Sequence, residues 1–215
     1  MKPYFQDENT TIYHADCREI LSEMPQVDLV LTDPPYGINY DATQSKHQYA
    51  INHGIAEWDK LPFDPVLLLA LHTKMIIFGG NNFASRLPDQ GGWLCWVKTN
   101  PSEYPDSICR QADMELAWTN CVTRGRVFRH TWLGNIRNSE RFMKNYHPTQ
   151  KPLALMRWCL NLVKDVNTVL DPYMGSGTTL RAAKDMNITS IGIEIDERYC
   201  EIAAKRMAQQ VLAVV

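Results

Sequence analysis

The sequence predicts an α/β protein built on a doubly wound sheet, and three observations lead to this fold class. Strand-like and helix-like segments alternate along the chain. Residues 27–32 and 74–78 are nearly continuous apolar runs, which is typical of parallel strands buried on both faces. Each run stops at turn-forming residues, Asp33-Pro34-Pro35 and Gly79-Gly80. With 215 residues, 45% of them hydrophobic, the chain fits one compact domain with a full core.

The same patterns predict the remaining elements in order. Strands are expected at residues 12–15, 27–32, 74–78, 93–97, 114–118, 168–170 and 190–195. Helices are expected at residues 18–24, 64–73, 152–164, 178–186 and 197–211. Between them, the polar stretch at residues 37–60 predicts a long loop, and a loop of this length inside a compact domain tends to be functional or mobile.

Composition excludes several classes of protein. The six cysteines form no Cys-x-x-Cys pair and stand at no metal-ligand spacing, so we expect reduced thiols in a cytoplasmic protein without a metal site. We expect no secretory signal and no membrane span, because no apolar run has the required length. The net charge of −2 does not indicate nucleic acid, so such a partner would need a local basic patch.

A glycine turn near the end of the chain predicts a cofactor site. Residues 169–179 read as a strand, a tight turn with Gly175 and Gly177, and a helix start, where backbone can approach a ligand closely. The turn lacks both the dinucleotide fingerprint and the P-loop lysine, and Asp171 would repel a pyrophosphate but suits a cation. Glu194, at the end of the next strand, can hold two ribose hydroxyls. These features favour S-adenosylmethionine over a plain strand–helix turn with a solvated Glu194.

The tetrapeptide Asp33-Pro34-Pro35-Tyr36 predicts the reacting half of the site. Its prolines fix φ and remove two N–H donors, which leaves the Asp33 carboxylate and main-chain carbonyls as acceptors beside the Tyr36 ring. That arrangement suits gripping an amino group with two hydrogens and stacking the base that carries it, once the base is outside the duplex. Cytosine C5 chemistry would need a Pro-Cys dipeptide, which does not occur. A Pro-rich strand-to-loop turn is the alternative for this tetrapeptide taken alone.

Together these segments resemble the amino-group DNA methyltransferases of bacteria and phage, in the β arrangement, where the Asp-Pro-Pro-Tyr block precedes the glycine block. The segment His147-Pro148-Thr149-Gln150-Lys151-Pro152 adds to the match. The resemblance covers most of the chain. It implies one domain over residues 1–215 with a Rossmann-like, mostly parallel seven-stranded sheet and a small recognition insertion. It also implies S-adenosylmethionine as cofactor and double-stranded DNA as partner, and leaves open a homodimer and a cognate restriction enzyme.

The resemblance also assigns roles to residues. The catalytic residues are Asp33, Pro34, Pro35 and Tyr36, and an initial Asp points to N6 of adenine. Asp16 and Cys17 match the segment at the cofactor's adenine, and residues 147–152 match the segment at its methionine end. Tyr173-Met174 departs from the Phe or small residue usual before the glycines. The cofactor-binding residues are thus Asp16, Cys17, Asp33, Thr149, Lys151, Asp171, Tyr173, Gly175, Ser176, Gly177, Thr178 and Glu194.

Two further segments are expected to face DNA. Residues 124–151 carry seven basic side chains and one acid, Glu140. The region resembles, by position, the family's target-recognition segment, which we place at residues 119–146. A solvated surface loop is the alternative. The predicted contacts are Arg124, Arg126, Arg129, Arg137, Asn138, Arg141 and Lys144. The loop at residues 37–60, which holds Tyr40 and Trp58, can close over the site or enter the space left by a flipped base.

The sequence therefore predicts a site-specific DNA methyltransferase acting on N6 of adenine. The same fold acting on N4 of cytosine or on RNA is the first alternative. A catalytically idle DNA-binding protein is the second, and a nicotinamide-dependent oxidoreductase is more remote because the glycine turn departs from the dinucleotide fingerprint.

Overall fold

Nine strands form one sheet in the part of the chain that the computed structural model describes, residues 1–37, 63–99, 112–133, 136–141, 146 and 149–209. Their order across the sheet is β1-β2-β11-β10-β3-β4-β6-β5-β7, and β8 and β9 form a separate antiparallel pair. The strands are β1 (Phe5–Gln6), β2 (Thr10–His14), β3 (Leu29–Thr32), β4 (Lys74–Phe78), β5 (Gly92–Val97), β6 (Met114–Thr119), β7 (Arg126–Arg129), β8 (Trp132–Leu133), β9 (Ile136–Arg137), β10 (Thr168–Asp171) and β11 (Thr189–Glu194).

Helices cover the sheet and connect its strands. They are α1 (Cys17–Ile20), α2 (Val66–Leu69), α3 (Leu153–Leu162), α4 (Thr178–Asp185) and α5 (Glu197–Ala208), with 3-10 turns at Leu21–Glu23 and Gly80–Arg86. The helix predicted over residues 64–73 is shorter than expected, because His72 adopts a left-handed conformation with φ 49° that cannot continue a helix. No helix of the described residues has the length and apolarity to cross a membrane.

The predicted α/β class is confirmed, but the strand count of seven is wrong. All seven predicted strands are present, and a further strand stands at each edge of the sheet. β1 pairs antiparallel with β2, and β7 pairs parallel with β5. Neither was visible in the sequence, because β1 has only two residues and the Arg-Val-Phe-Arg sequence of β7 is charged at both ends. Both depend on pairing with a neighbouring strand.

The sheet brings several strand ends to one edge. β2, β11, β10, β3 and β4 are mutually parallel, and β5 points the same way because both β4 and β5 pair antiparallel with β6. From β3 the chain continues outward to β4, whereas from β10 it continues in the opposite direction to β11. The boundary between β10 and β3 is therefore the switch point of the sheet, where ligands of such folds bind beyond the carboxyl ends of the strands.

The core lies in two layers, one on each face of the sheet. Leu29 and Leu31 of β3 pack in a cluster with residues of α3 and α4, whereas Val30 packs on the opposite face with residues of α1 and α2. Adjacent strand residues point to opposite faces, so this alternation is that of a strand buried on both sides. A third cluster joins α5 to β2 and α4. The sheet is therefore packed on both faces.

Candidate active site

The turn Asp33-Pro34-Pro35-Tyr36 begins directly after β3, at the switch point. The Asp33 carboxylate accepts a hydrogen bond from the Tyr36 hydroxyl at Oδ1 and from the Lys151 ammonium at Oδ2. The residue before it, Thr32, is fully buried and donates from Oγ1 to Asp171 Oδ1 at 2.7 Å. This bond joins the end of β3 to the end of β10. The predicted reacting and cofactor halves are thus adjacent and directly linked.

Asp33 belongs to a network of charged side chains, and the sequence did not reveal this network. Lys151 Nζ also lies 3.1 Å from Glu115 Oε2, and Lys98 Nζ lies 2.8 Å from Glu115 Oε1. Glu115 stands at the start of β6 and Lys98 follows the end of β5, so the sheet topology alone brings them to the carboxyl edge. Lys98 and Lys151 are buried. Two carboxylates and two ammonium groups therefore balance one another.

The charge states of this network follow from burial and from the neighbouring ions. Burial disfavours the ammonium of Lys151, yet the carboxylates of Asp33 and Glu115 raise its pKa well above the ordinary value. Burial opposes ionisation of Glu115 as well, but Lys151 and Lys98 lower its pKa to about 2. Burial, followed by the charge of Asp33, raises the pKa of Tyr36 well above its ordinary value. At neutral pH the site holds a cationic Lys151, an anionic Glu115 and a Tyr36 hydroxyl that donates.

The predicted cofactor half is rich in acceptors. Asp171 is buried, accepts from the Tyr173 N–H at 3.2 Å besides Thr32, and has a pKa raised by burial to about 6. The Glu194 carboxylate accepts from the N–H groups of Gly175 and Asp196, both at 2.9 Å, and burial raises its pKa to about 7. Gly175 has φ 50°, and this left-handed conformation lets the turn bend toward Glu194.

One residue of the predicted cofactor set also packs closely against a helix. Gly177 has φ 78° and precedes α4, and a Cβ there would lie 2.9 Å from the Cβ of Ala203 on α5. The absence of a side chain at Gly177 therefore permits close packing between the turn and α5. Gly175, Ser176 and Thr178 line the cavity, and the approach of the Gly177 backbone to a ligand stays a prediction.

The other predicted cofactor residues also lie at this edge. Asp16 caps the N-terminus of α1 by accepting from the Arg18 N–H at 2.9 Å, and its carboxylate also pairs with the Arg18 guanidinium. Cys17 is buried, which raises its thiol pKa, and it shares a hydrogen bond with the Tyr173 hydroxyl. Thr149 lines the cavity close to Lys151.

A single cavity of about 1330 Å³ joins both halves of the site. Its walls include the whole turn from Asp33 to Tyr36 and the network residues Lys98, Glu115 and Lys151, together with the cofactor half around Asp171 and Glu194. Pockets for one small ligand usually measure roughly 300–1,000 Å³. The cavity therefore has room for two ligands side by side. Among the described residues, no group of three or more His, Cys, Asp or Glu side chains could hold a metal ion.

The sequence of the chain matches a known protein family. The family of N6/N4 DNA methylases matches residues 94–205, which is more than half of the chain. The chain belongs to this DNA methylase family. It is accordingly a DNA methyltransferase.

Several relatives match this methyltransferase over nearly its whole length. It is 26% identical to the type II methyltransferase M2.LlaDCHI of Lactococcus lactis subsp. cremoris and 25% identical to M2.DpnII of Streptococcus pneumoniae, each match covering 96% of this chain and 92% of the relative. The crystal structure of M1.HpyAVI superimposes with a TM-score of 0.59 at 26% identity, covering 94% of this chain and all of that one. The cytosine-N4-specific PvuII DNA methyltransferase, 14% identical, shares the fold with a TM-score of 0.65 over 99% of this chain and 91% of that chain.

S-adenosylmethionine is the cofactor of this methyltransferase. A solved complex of M1.HpyAVI with this cofactor superimposes at 29% identity and a TM-score of 0.56, covering 92% of this chain and 99% of that one. The cavity fits the group, because carboxylates of Asp16, Asp171, Glu194 and Asp196 line one half of it and suit a cation with hydroxyl groups rather than a phosphate. When bound, S-adenosylmethionine supplies a methyl group on positively charged sulfur.

The predicted DNA-facing residues divide into two groups. Arg124, Arg126, Arg129 and Arg141 are exposed. Arg137 is buried instead, with its guanidinium 4.4 Å from the centre of the Trp132 ring, and both residues line the cavity. Asn138 is exposed, and its N–H donates to Thr131 O at 3.0 Å. Predicted residues outside the described part of the chain are Lys144, His147, Pro148 and loop residues 38–60.

Proposed function

We propose that this DNA methyltransferase transfers the methyl group to N6 of an adenine flipped out of duplex DNA. The observation that carries the proposal is the position of Asp33, an acceptor at the boundary between the two halves of a cavity large enough for cofactor and base. In the resembling enzymes an initial Asp in the catalytic block points to adenine. The size of the cavity agrees with a purine beside the cofactor.

The residues of the turn account for the chemistry at the amino group. The nitrogen of an exocyclic amino group is conjugated with its ring and is a poor nucleophile. Acceptors that hold both hydrogens, the Asp33 carboxylate and a main-chain carbonyl of the Pro34-Pro35 turn, favour a pyramidal nitrogen whose lone pair can point at the methyl carbon. The rigid prolines keep these acceptors in place, and the Tyr36 ring offers a face on which the base stacks. No covalent enzyme intermediate is required.

The basic strand β7, at the edge of the sheet, is suited to contact the DNA duplex. β7 is parallel to β5, so its carboxyl end, at Arg129, lies on the same edge of the sheet as the active site. Exposed Arg126 and Arg129 can hold phosphates on either side of the base that enters the cavity. We therefore assign β7 and the turn before it, with Arg124, to DNA backbone contact within residues 119–146.

Analysis of methylated nucleosides tests the proposal. The protein is incubated with unmethylated duplex DNA and labelled S-adenosylmethionine, the DNA is digested, and the nucleosides are identified by mass spectrometry. The proposal predicts N6-methyl-2′-deoxyadenosine as the labelled product. Labelled N4-methylcytosine, or label in RNA but not in DNA, would overturn it. Methylation-aware sequencing of DNA from cells that express the protein then identifies the recognised sequence.

A further inference from the structure

Both carboxylate oxygens of Asp33 already have a donor. The Tyr36 hydroxyl binds Oδ1 and the Lys151 ammonium binds Oδ2. An acceptor that holds a buried cation is poorly available to a neutral amino group, since charge-assisted hydrogen bonds are roughly twice as strong as neutral ones. A shift of Lys151 away from Oδ2 therefore makes this oxygen a better acceptor for a target amino group.

Glu115 offers the Lys151 ammonium a second carboxylate partner. Its Oε2 forms an ion pair with Lys151 Nζ at 3.1 Å and is shielded from solvent. The other oxygen, Oε1, accepts from Lys98 at 2.8 Å, which fixes the orientation of the carboxylate. The structure therefore holds a second, oriented carboxylate oxygen that the Lys151 ammonium already contacts.

We propose that Glu115 is a positioning residue that receives the Lys151 ammonium when the target amino group docks on Asp33. Lys151 shifts from Asp33 Oδ2 to Glu115 Oε2, and the freed oxygen accepts an amino hydrogen. No covalent bond forms or breaks in this exchange. The inference rests on the proposed function, in which Asp33 is the acceptor for the amino group, and it adds to that function a device that makes the acceptor available.

The surroundings favour this movement. Lys151 contacts both carboxylates at once, so a rotation of its side chain is sufficient and the backbone can stay in place. The rings of Tyr36 and Phe78 lie 5.7 and 5.6 Å from its Nζ, a distance at which aromatic faces stabilise a cation. The lowered pKa of Glu115, about 2, keeps its carboxylate ionised at any working pH. The acceptor for Lys151 is thus permanently available.

A double variant removes the charge of this acceptor without unbalancing the site. Glu115→Gln alone would leave Lys98 buried without its charged partner. Lys98→Met combined with Glu115→Gln removes one negative and one positive charge together, and leaves Asp33 as the one carboxylate in contact with Lys151 among the described residues. The matched control is Glu201→Gln with Lys205→Met, which makes the same two chemical changes in an exposed ion pair of α5.

The test measures methyl transfer to duplex DNA under single-turnover conditions, KM for DNA, cofactor affinity by calorimetry and thermal unfolding. We expect Lys98→Met/Glu115→Gln to transfer at least ~10-fold more slowly at saturating DNA and cofactor, with cofactor affinity and KM within about twofold of the control. A wild-type rate in this double variant would overturn the inference. If the double variant does not fold, Glu115→Asp decides, because it keeps every charge but withdraws the carboxylate by one methylene. A wild-type rate there would overturn the inference equally.

Asp33→Ala, measured beside these variants, separates the two proposals. A wild-type rate in Asp33→Ala would refute the role of Asp33, and the inference about Glu115 would fall with it. An inactive Asp33→Ala together with a wild-type rate in Lys98→Met/Glu115→Gln would refute the inference alone.

Discussion

The ring of Tyr36 lies directly against the backbone of Gly79, the residue that follows β4. A Cβ placed on Gly79 would be 2.0 Å from Tyr36 Cε1, and Gly79 has φ 69°, a conformation that side chains disfavour. The glycine thus leaves the space in which the tyrosine lies beside Asp33. The contact connects the end of a third strand to the turn Asp33-Pro34-Pro35-Tyr36.

Gly79→Ala is expected to displace Tyr36 and impair catalysis. The new methyl group cannot coexist with the ring, and the left-handed backbone adds strain, so we predict destabilisation by about 2 kcal/mol or more and a reduced transfer rate. Urea unfolding and labelled methyl transfer measure the two effects. Gly125→Ala is the matched control, because the nearest atom to its Cβ would be Trp93 O at 3.7 Å. Equal stability and rate in the two variants would show that Gly79 does not hold Tyr36.

Cofactor affinity is expected to rise with pH through about 7. Glu194 has a pKa of about 7, and its ionised carboxylate is the stronger acceptor for ribose hydroxyls. Because this pKa is raised above the ordinary value of 4.5, ionisation also costs stability, which should fall as pH rises from about 4.5 to about 7 and then level off. Calorimetry and thermal unfolding at a series of pH values test both trends.

Glu194→Gln should remove the transition near pH 7 in both measurements. The residual dependence is expected near pH 6, where Asp171 titrates with the same sign. Glu201→Gln, an exposed position on α5, is the control and should leave both curves unchanged. If the transition near pH 7 persisted in Glu194→Gln, a group other than Glu194 would be responsible for it.

Arg206 is expected to support the cofactor turn from behind. Its buried guanidinium donates from Nη1 to Ser176 O at 2.6 Å and to Ser176 Oγ at 3.2 Å. Arg206→Met removes these bonds, so we predict cofactor affinity about tenfold lower, equivalent to about 1.4 kcal/mol, by calorimetry. Lys205→Met, exposed on the same helix, should bind as the wild type does. Unchanged affinity in Arg206→Met would mean that the turn keeps its shape without the arginine.

DNA binding should depend on salt through the exposed arginines of β7. Each phosphate contact that is lost lowers the slope of log affinity against log salt by about 0.9. Arg126→Ala and Arg129→Ala are each expected to reduce the slope by that amount, whereas Lys205→Ala on α5 should not change it. Fluorescence anisotropy at several salt concentrations gives the slopes. Identical slopes in all variants would place the duplex elsewhere.

Much of the fold was predictable, because its central strands and helices have local patterns. The apolar run at Leu29–Thr32 predicted strand β3, and the residues after it predicted the turn from Asp33 to Tyr36. What could not be predicted depends on partners distant in sequence. Glu115 and Lys98 are single charged residues at strand ends, and only the pairing of β5 with β6 brings them together near Lys151. The packing of Arg137 on Trp132 likewise has no local signal.

The most direct test of the account is methyl transfer by Asp33→Ala, with cofactor affinity measured on the same preparation. The variant removes the acceptor at the centre of the cavity and leaves the glycine turn and Glu194 in place. We predict transfer reduced by about 100-fold or more, with cofactor affinity within a few-fold of the wild type. Asp89→Ala, exposed and remote from the cavity, is the control. Transfer by Asp33→Ala at the wild-type rate would contradict the assignment of this carboxylate as the acceptor for the target amino group.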